Sequence, residues 1–74
     1  MADRILDATG LKCPMPVLRA RRQLKQMTSG EVLEVRADDP ASVKDFPAFC
    51  ETTGDVLQET AEDGPTFVFR ICKA

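Results

Sequence analysis

The sequence predicts a two-layer α/β sandwich, with two helices on one face of a four-stranded mixed sheet. Two observations carry that expectation. Apolar residues recur with periods of two, three-to-four, two, three-to-four, two and two, giving the order β-α-β-α-β-β. The strands also read as apolar on one face only, so each needs cover from a helical layer. A chain of 74 residues makes a single domain spanning 1–74 and buries only about 60% of the surface its unfolded form exposes. A deep cavity for a large cofactor is therefore excluded.

Taken in order, Arg4-Ile5-Leu6-Asp7-Ala8 reads as a short first strand. Thr9 to Cys13 forms a loop around Gly10. The first helix is predicted over 14–28, with Pro14 and Pro16 in a first turn where a missing N–H is tolerated. Val17, Ala20, Leu24 and Met27 make its buried stripe, and Gly30 is its left-handed cap. A second strand covers 31–37, with Leu33, Val35 and Ala37 inward and Glu34 and Arg36 on the wet face. Asp38-Asp39-Pro40 opens a second helical stretch, with Asp39 as its cap. Val43, Phe46, Phe49 and Cys50 form its apolar side, and Gly54 ends it. Pro47 predicts a break, leaving a regular part over 47–53. Val56–Thr60 is a polar edge strand, Asp63-Gly64-Pro65 a turn, and Thr66–Cys72 the last strand, with Phe67, Phe69 and Ile71 inward.

The net charge of −2 conceals a polarised chain. Residues 8–30 hold Lys12, Arg19, Arg21, Arg22 and Lys25 and no acid, a charge of +5; the remainder carries −7. Segregation of this kind steers partners. The missing Trp and Tyr and the acidic remainder speak against direct nucleic-acid binding. No apolar run approaches the ~20 residues of a membrane span. Met1-Ala2-Asp3-Arg4 runs straight into patterned sequence without a signal-peptide core, which predicts a cytoplasmic protein whose three cysteines stay thiols.

Cys13-Pro14-Met15-Pro16 is the segment that points to chemistry. A thiol at a helix mouth, next to Lys12, is expected to ionise below the free value of ~8.5 and act as a nucleophile. With no histidine in the chain, a Cys-His hydrolase is excluded. Pro16 stands where a thioredoxin-like site needs its second cysteine, and no metal-ligand spacing is present. Cys50 reads as core, and Cys72 as an exposed residue near the chain end. On the first helix, Leu18, Arg21, Arg22 and Lys25 share a flank beside the buried stripe. That flank predicts a docking patch for acidic partners with Leu18 as its apolar anchor.

From Leu6 to Pro16 the chain resembles the opening of the TusA/SirA family of small sulfur-carrier proteins. Gly30-Glu31, Ala37-Asp38-Asp39-Pro40 and Asp45-Phe46-Pro47-Ala48-Phe49-Cys50 resemble later family segments in the right order. The resemblance implies the same β-α-β-α-β-β fold and a sulfurtransferase activity in the broad sense. It further implies that Cys13 accepts sulfane sulfur as a persulfide and passes it on, with no separate cofactor and no metal. The implied partners are a sulfur donor (a cysteine desulfurase or a rhodanese-like protein) and an acceptor protein, served by a monomer, and Asp39 joins the docking residues. Sulfur relays of the family end in tRNA thiolation, cofactor maturation or sulfur oxidation. The rival readings are a non-catalytic module that binds a regulatory protein or an RNA, and a peroxide-sensing thiol.

Overall fold

The computed structural model describes residues 2–74. Its elements are β1 (Arg4–Asp7), α1 (Met15–Lys25), β2 (Val32–Ala37), α2 (Ser42–Thr53), β3 (Val56–Asp63) and β4 (Thr66–Cys72). The sheet order is β1-β2-β4-β3. β1 pairs with β2 in parallel, Leu6 opposite Val35, while β2–β4 and β3–β4 are antiparallel. The mixed sheet and two-helix layer match the predicted class.

Period-two alternation places Leu33, Val35, Ala37, Phe69 and Ile71 under the helices, all fully buried. α1 contributes Pro16, Ala20 and Leu24 to that layer, and α2 contributes Phe46 and Cys50. Phe46 stacks on Phe69 with ring centroids 4.6 Å apart, joining α2 to the middle of the sheet. The other sheet face is open, with Ile5 and Val56 exposed. Across it runs a chain of ion pairs: Arg36 to Glu34 at 3.0 Å, Arg70 to Glu34 at 3.1 Å and Arg70 to Glu59 at 3.0 Å. Burial raises the Glu34 carboxyl, but the two arginine hydrogen bonds outweigh it and hold the group below the usual range.

Several local expectations are corrected. The first helix ends at Gln26, where the Gln26 N–H donates to the Gln23 carbonyl and the Met27 N–H to the Leu24 carbonyl, both at 3.1 Å. Gly30 therefore caps nothing; it sits at φ +89° in the turn before β2, donating its N–H to the Lys73 carbonyl. Val17 is half-buried on the predicted stripe. The second helix is continuous from Ser42 through Pro47 to Thr53. Pro47 removes the N–H that the Val43 carbonyl would receive, yet both residues lie on the exposed side of α2, where water can take that carbonyl. Gly54 ends this helix as predicted, at φ +85°, a conformation that costs glycine little. β3 extends beyond Thr60 to Asp63, with a register shift between Leu57 and Glu59, and the hairpin turn shrinks to Gly64-Pro65. Cys72 is half-buried on the open sheet face rather than fully exposed.

Candidate functional site

The parallel β1–β2 pair ends both strands at the same edge of the molecule, so the β1–α1 and β2–α2 loops lie side by side. Cys13 is on the first loop and Asp39 on the second. Asp7 shapes the start of the first loop by accepting hydrogen bonds from the Thr9 N–H (3.0 Å) and hydroxyl (2.6 Å), a side-chain turn that directs the chain back across the strand end. Gly10 follows at φ +80°, where other residues are strained. Its N–H donates to the Asp38 carboxylate at 3.0 and 3.2 Å. The Cys13 N–H donates to Asp39 Oδ2 at 2.6 Å, and Asp39 Oδ1 accepts from the Ala41 N–H at 3.2 Å. These bonds hold the Asp39 carboxyl below its usual range, the Cys13 amide contributing most. Asp39 is therefore a clasp between the thiol loop and the start of α2, with both oxygens engaged inside the protein.

The Cys13 side chain is exposed at the lip of a shallow groove of about 320 Å³ between the helices. Pro14 and Val17 form one wall, and Asp45, Ala48, Phe49 and Thr52 the other. The four α2 residues are spaced i, i+3, i+4 and i+7, one stripe of a continuous helix. Sequence reasoning missed Asp45 because it took Pro47 as a break and so lost that stripe. An uninterrupted apolar period beginning at Ser42 was the signal that would have found it.

The surroundings of the sulfur run against the expected thiolate. The Asp45 carboxylate on the facing wall of the groove acts most strongly to push the Cys13 thiol above its ordinary value, followed by partial desolvation and the negative charge of Asp39. Lys12 is exposed and acts on Asp39 instead of on the sulfur. The helix tip also offers few donors. Pro14 and Pro16 lack N–H groups, the Met15 N–H is spent on the Lys12 carbonyl at 2.8 Å and the Cys13 N–H on Asp39. A proline-stiffened tip holds its residues firmly but makes a poor cradle for an anion. Pro14 flanks α1 as its N-cap, and Pro16 alone lies within the first turn, buried.

The other two cysteines do not compete for this role. Cys50 is 5% exposed, and burial pushes its thiol up to about 11. Cys72 lies on the sheet face away from the helices. Among the described residues no group of three or more His, Cys, Asp or Glu could hold a metal ion, and no helix is long and apolar enough to cross a membrane. Of the predicted docking residues, Leu18 stands 47% exposed, and Arg21, Arg22 and Lys25 are exposed along α1. Arg21 and Lys25 border a second groove that shares Phe49 with the first and reaches Lys73 and Asp55; Leu18 and Arg22 line neither.

Known proteins match this chain over nearly its whole length. The family model described as Sulfurtransferase TusA matches residues 4–73. A sulfur carrier protein TusA of Allochromatium vinosum is 54% identical over 72 residues, covering 97% of this chain and 95% of that protein. A putative sulfur carrier protein of Neisseria meningitidis is 49% identical over 67 residues, 90% of each. The crystal structure of a SirA-like protein from Desulfitobacterium hafniense superposes with a TM-score of 0.83 at 28% identity, covering 93% of this chain and 95% of that one. On this evidence the chain belongs to the TusA family of sulfur carriers.

Proposed function

We propose that Cys13 carries sulfane sulfur as a persulfide, taken from a donor protein and delivered to an acceptor protein. One observation carries this reading: Cys13 is the exposed cysteine, clasped through its own amide by Asp39 at 2.6 Å and opening onto a groove. In loading, the Cys13 sulfur attacks the outer sulfur of a persulfide on a cysteine desulfurase or a rhodanese-like protein. The Cys13 S–S bond forms as the donor S–S bond breaks, and the donor leaves as a thiolate that takes up the proton released by Cys13. In delivery, an acceptor cysteine attacks the same outer sulfur and Cys13 leaves. The sulfur keeps its oxidation level throughout, so no redox partner enters. Leu18 and the cations Arg21, Arg22 and Lys25 supply an apolar anchor with a positive surround on which an acidic partner can settle.

Intact-mass measurement after incubation with a persulfide donor tests the reading. Wild type gains one sulfur atom, reductant removes it, and Cys13→Ser gains none. Absence of the adduct in wild type, or its persistence in Cys13→Ser, overturns the assignment.

A further inference from the structure

The groove brings the carrier sulfur against a carboxylate that the persulfide reading leaves without a task. Cys13 and Asp45 line facing walls, and the rest of the lining is Pro14, Val17, Ala48, Phe49 and Thr52. Asp45 is thus the only charged residue in that lining. Charged groups near the sulfur come from every adjoining element. Lys12 is on its own loop; Asp38 and Asp39 reach in from the β2–α2 loop, bonded to the amides of Gly10 and Cys13. From α2 come Asp45 and its neighbour Lys44, while α1 has no charged residue before Arg19. Three carboxylates therefore surround the loop that holds the thiol.

We propose that Asp45 sets the direction of sulfur exchange at Cys13, favouring the neutral thiol over the anionic persulfide so that the carrier loads sparingly and discharges readily. The inference rests on Cys13 being the persulfide site. The exchange is Cys13–SH + R–S–S⁻ → Cys13–S–S⁻ + R–SH. The bond from Cys13 to the sulfane sulfur forms, the R–S bond to that sulfur breaks, and the Cys13 proton passes to the departing thiolate. Charge is conserved and nothing is oxidised. On the left the anion is in solution; on the right it is on the protein, facing the Asp45 carboxylate across the groove. That placement disfavours the right-hand side, in the same direction as the upward displacement of the thiol's ionisation.

Equilibration with glutathione persulfide at neutral pH, read by intact mass, tests the proposal. Removing one half-buried, solvent-accessible charge neighbour changes such an equilibrium by roughly two- to fivefold. Asp45→Asn is therefore expected to raise the ratio of loaded to unloaded carrier about two- to fivefold over wild type, with the difference shrinking at high salt. Asp45→Glu, which restores the charge, is expected to return the ratio toward wild type. Unfolding would also free Cys13 from Asp45 and uncover Cys50, so the added sulfur is located at Cys13 by peptide mass mapping and the circular dichroism of each variant is matched to wild type. Equal ratios for wild type and Asp45→Asn, with wild type loading at Cys13, overturn the role of Asp45 alone. Failure of wild type to load at Cys13 overturns the persulfide reading and, with it, this inference.

Discussion

The ionisation of Cys13 gives the sharpest test of the geometry, because helix-tip reasoning and the observed surroundings predict opposite signs. The perturbation is pH, raised from about 6 to about 10 across the ordinary thiol value of about 8.5. A thiol displaced upward, as Cys13 is by Asp45 and Asp39, holds less thiolate at neutral pH than an ordinary cysteine. Alkylation by iodoacetamide follows the thiolate. Its rate at Cys13 should climb about tenfold per pH unit through neutrality and bend only above about pH 8.5. Peptide-resolved mass spectrometry separates the three cysteines and makes Cys50 an internal control. That residue is buried and displaced to about 11, so it should stay unlabelled over most of the range. Salt should lower the Cys13 midpoint, because the Debye length falls from about 10 Å at 0.1 M to about 3 Å at 1 M. A rate that levels off below about pH 8, short of the ordinary value, would refute the reasoning and restore the helix tip and Lys12 as the dominant influences.

Phe46→Ala should cost about 3–5 kcal/mol, read as a lower urea midpoint, because it empties a fully buried position and removes the stack on Phe69. That is a large share of the roughly 4–11 kcal/mol expected for a domain this size, so the variant should be partly unfolded at 37 °C-type growth conditions if stability lies at the low end. Asp39→Ala should speed hydrogen exchange at the Cys13 and Ala41 amides, whose acceptor it removes, while leaving exchange in β4 at the wild-type rate; unchanged exchange at Cys13 would remove the clasp. Arg21→Glu combined with Arg22→Glu should slow sulfur transfer from a donor protein several-fold, with the deficit greatest at low salt. Transfer rates equal to wild type would remove the docking role.

The strand and helix order was legible because it depends on local period. Leu33, Val35 and Ala37 take every second position of β2 and are fully buried, and Ala20, Leu24 and Met27 are spaced by helical turns and buried. The groove was harder to see because it depends on one residue whose cost is set by its surroundings. Pro47 breaks a helix where its side of the helix is buried, but here Val43 and Pro47 both face water. That exposure is a tertiary fact, and the stripe bearing Asp45 was hidden with it. The acidic surroundings of Cys13 were hidden for a related reason. Helix-dipole arguments count free N–H groups, and the count changes once Asp39, 26 residues away, takes the Cys13 amide. No local pattern reports a bond of that span.

The span itself follows from topology. In the sheet order β1-β2-β4-β3, β1–β2 is the one parallel pair. It is therefore the one place where two strand-to-helix loops leave neighbouring strands at their carboxyl ends, the crevice in which open α/β sheets place their ligands. The loop after β1 has backbone amides to satisfy, and the loop after β2 brings Asp38 and Asp39 to satisfy those of Gly10 and Cys13. Carboxylates strong enough to fix the loop also surround its sulfur with negative charge. Rigidity at Cys13 comes from these clasps, whereas the upward displacement of its thiol comes mainly from Asp45, with Asp39 adding the smallest share. A substitution that made the sulfur more acidic by neutralising Asp39 would also loosen the loop, whereas Asp45, which holds no backbone amide, can change the charge without touching the clasp.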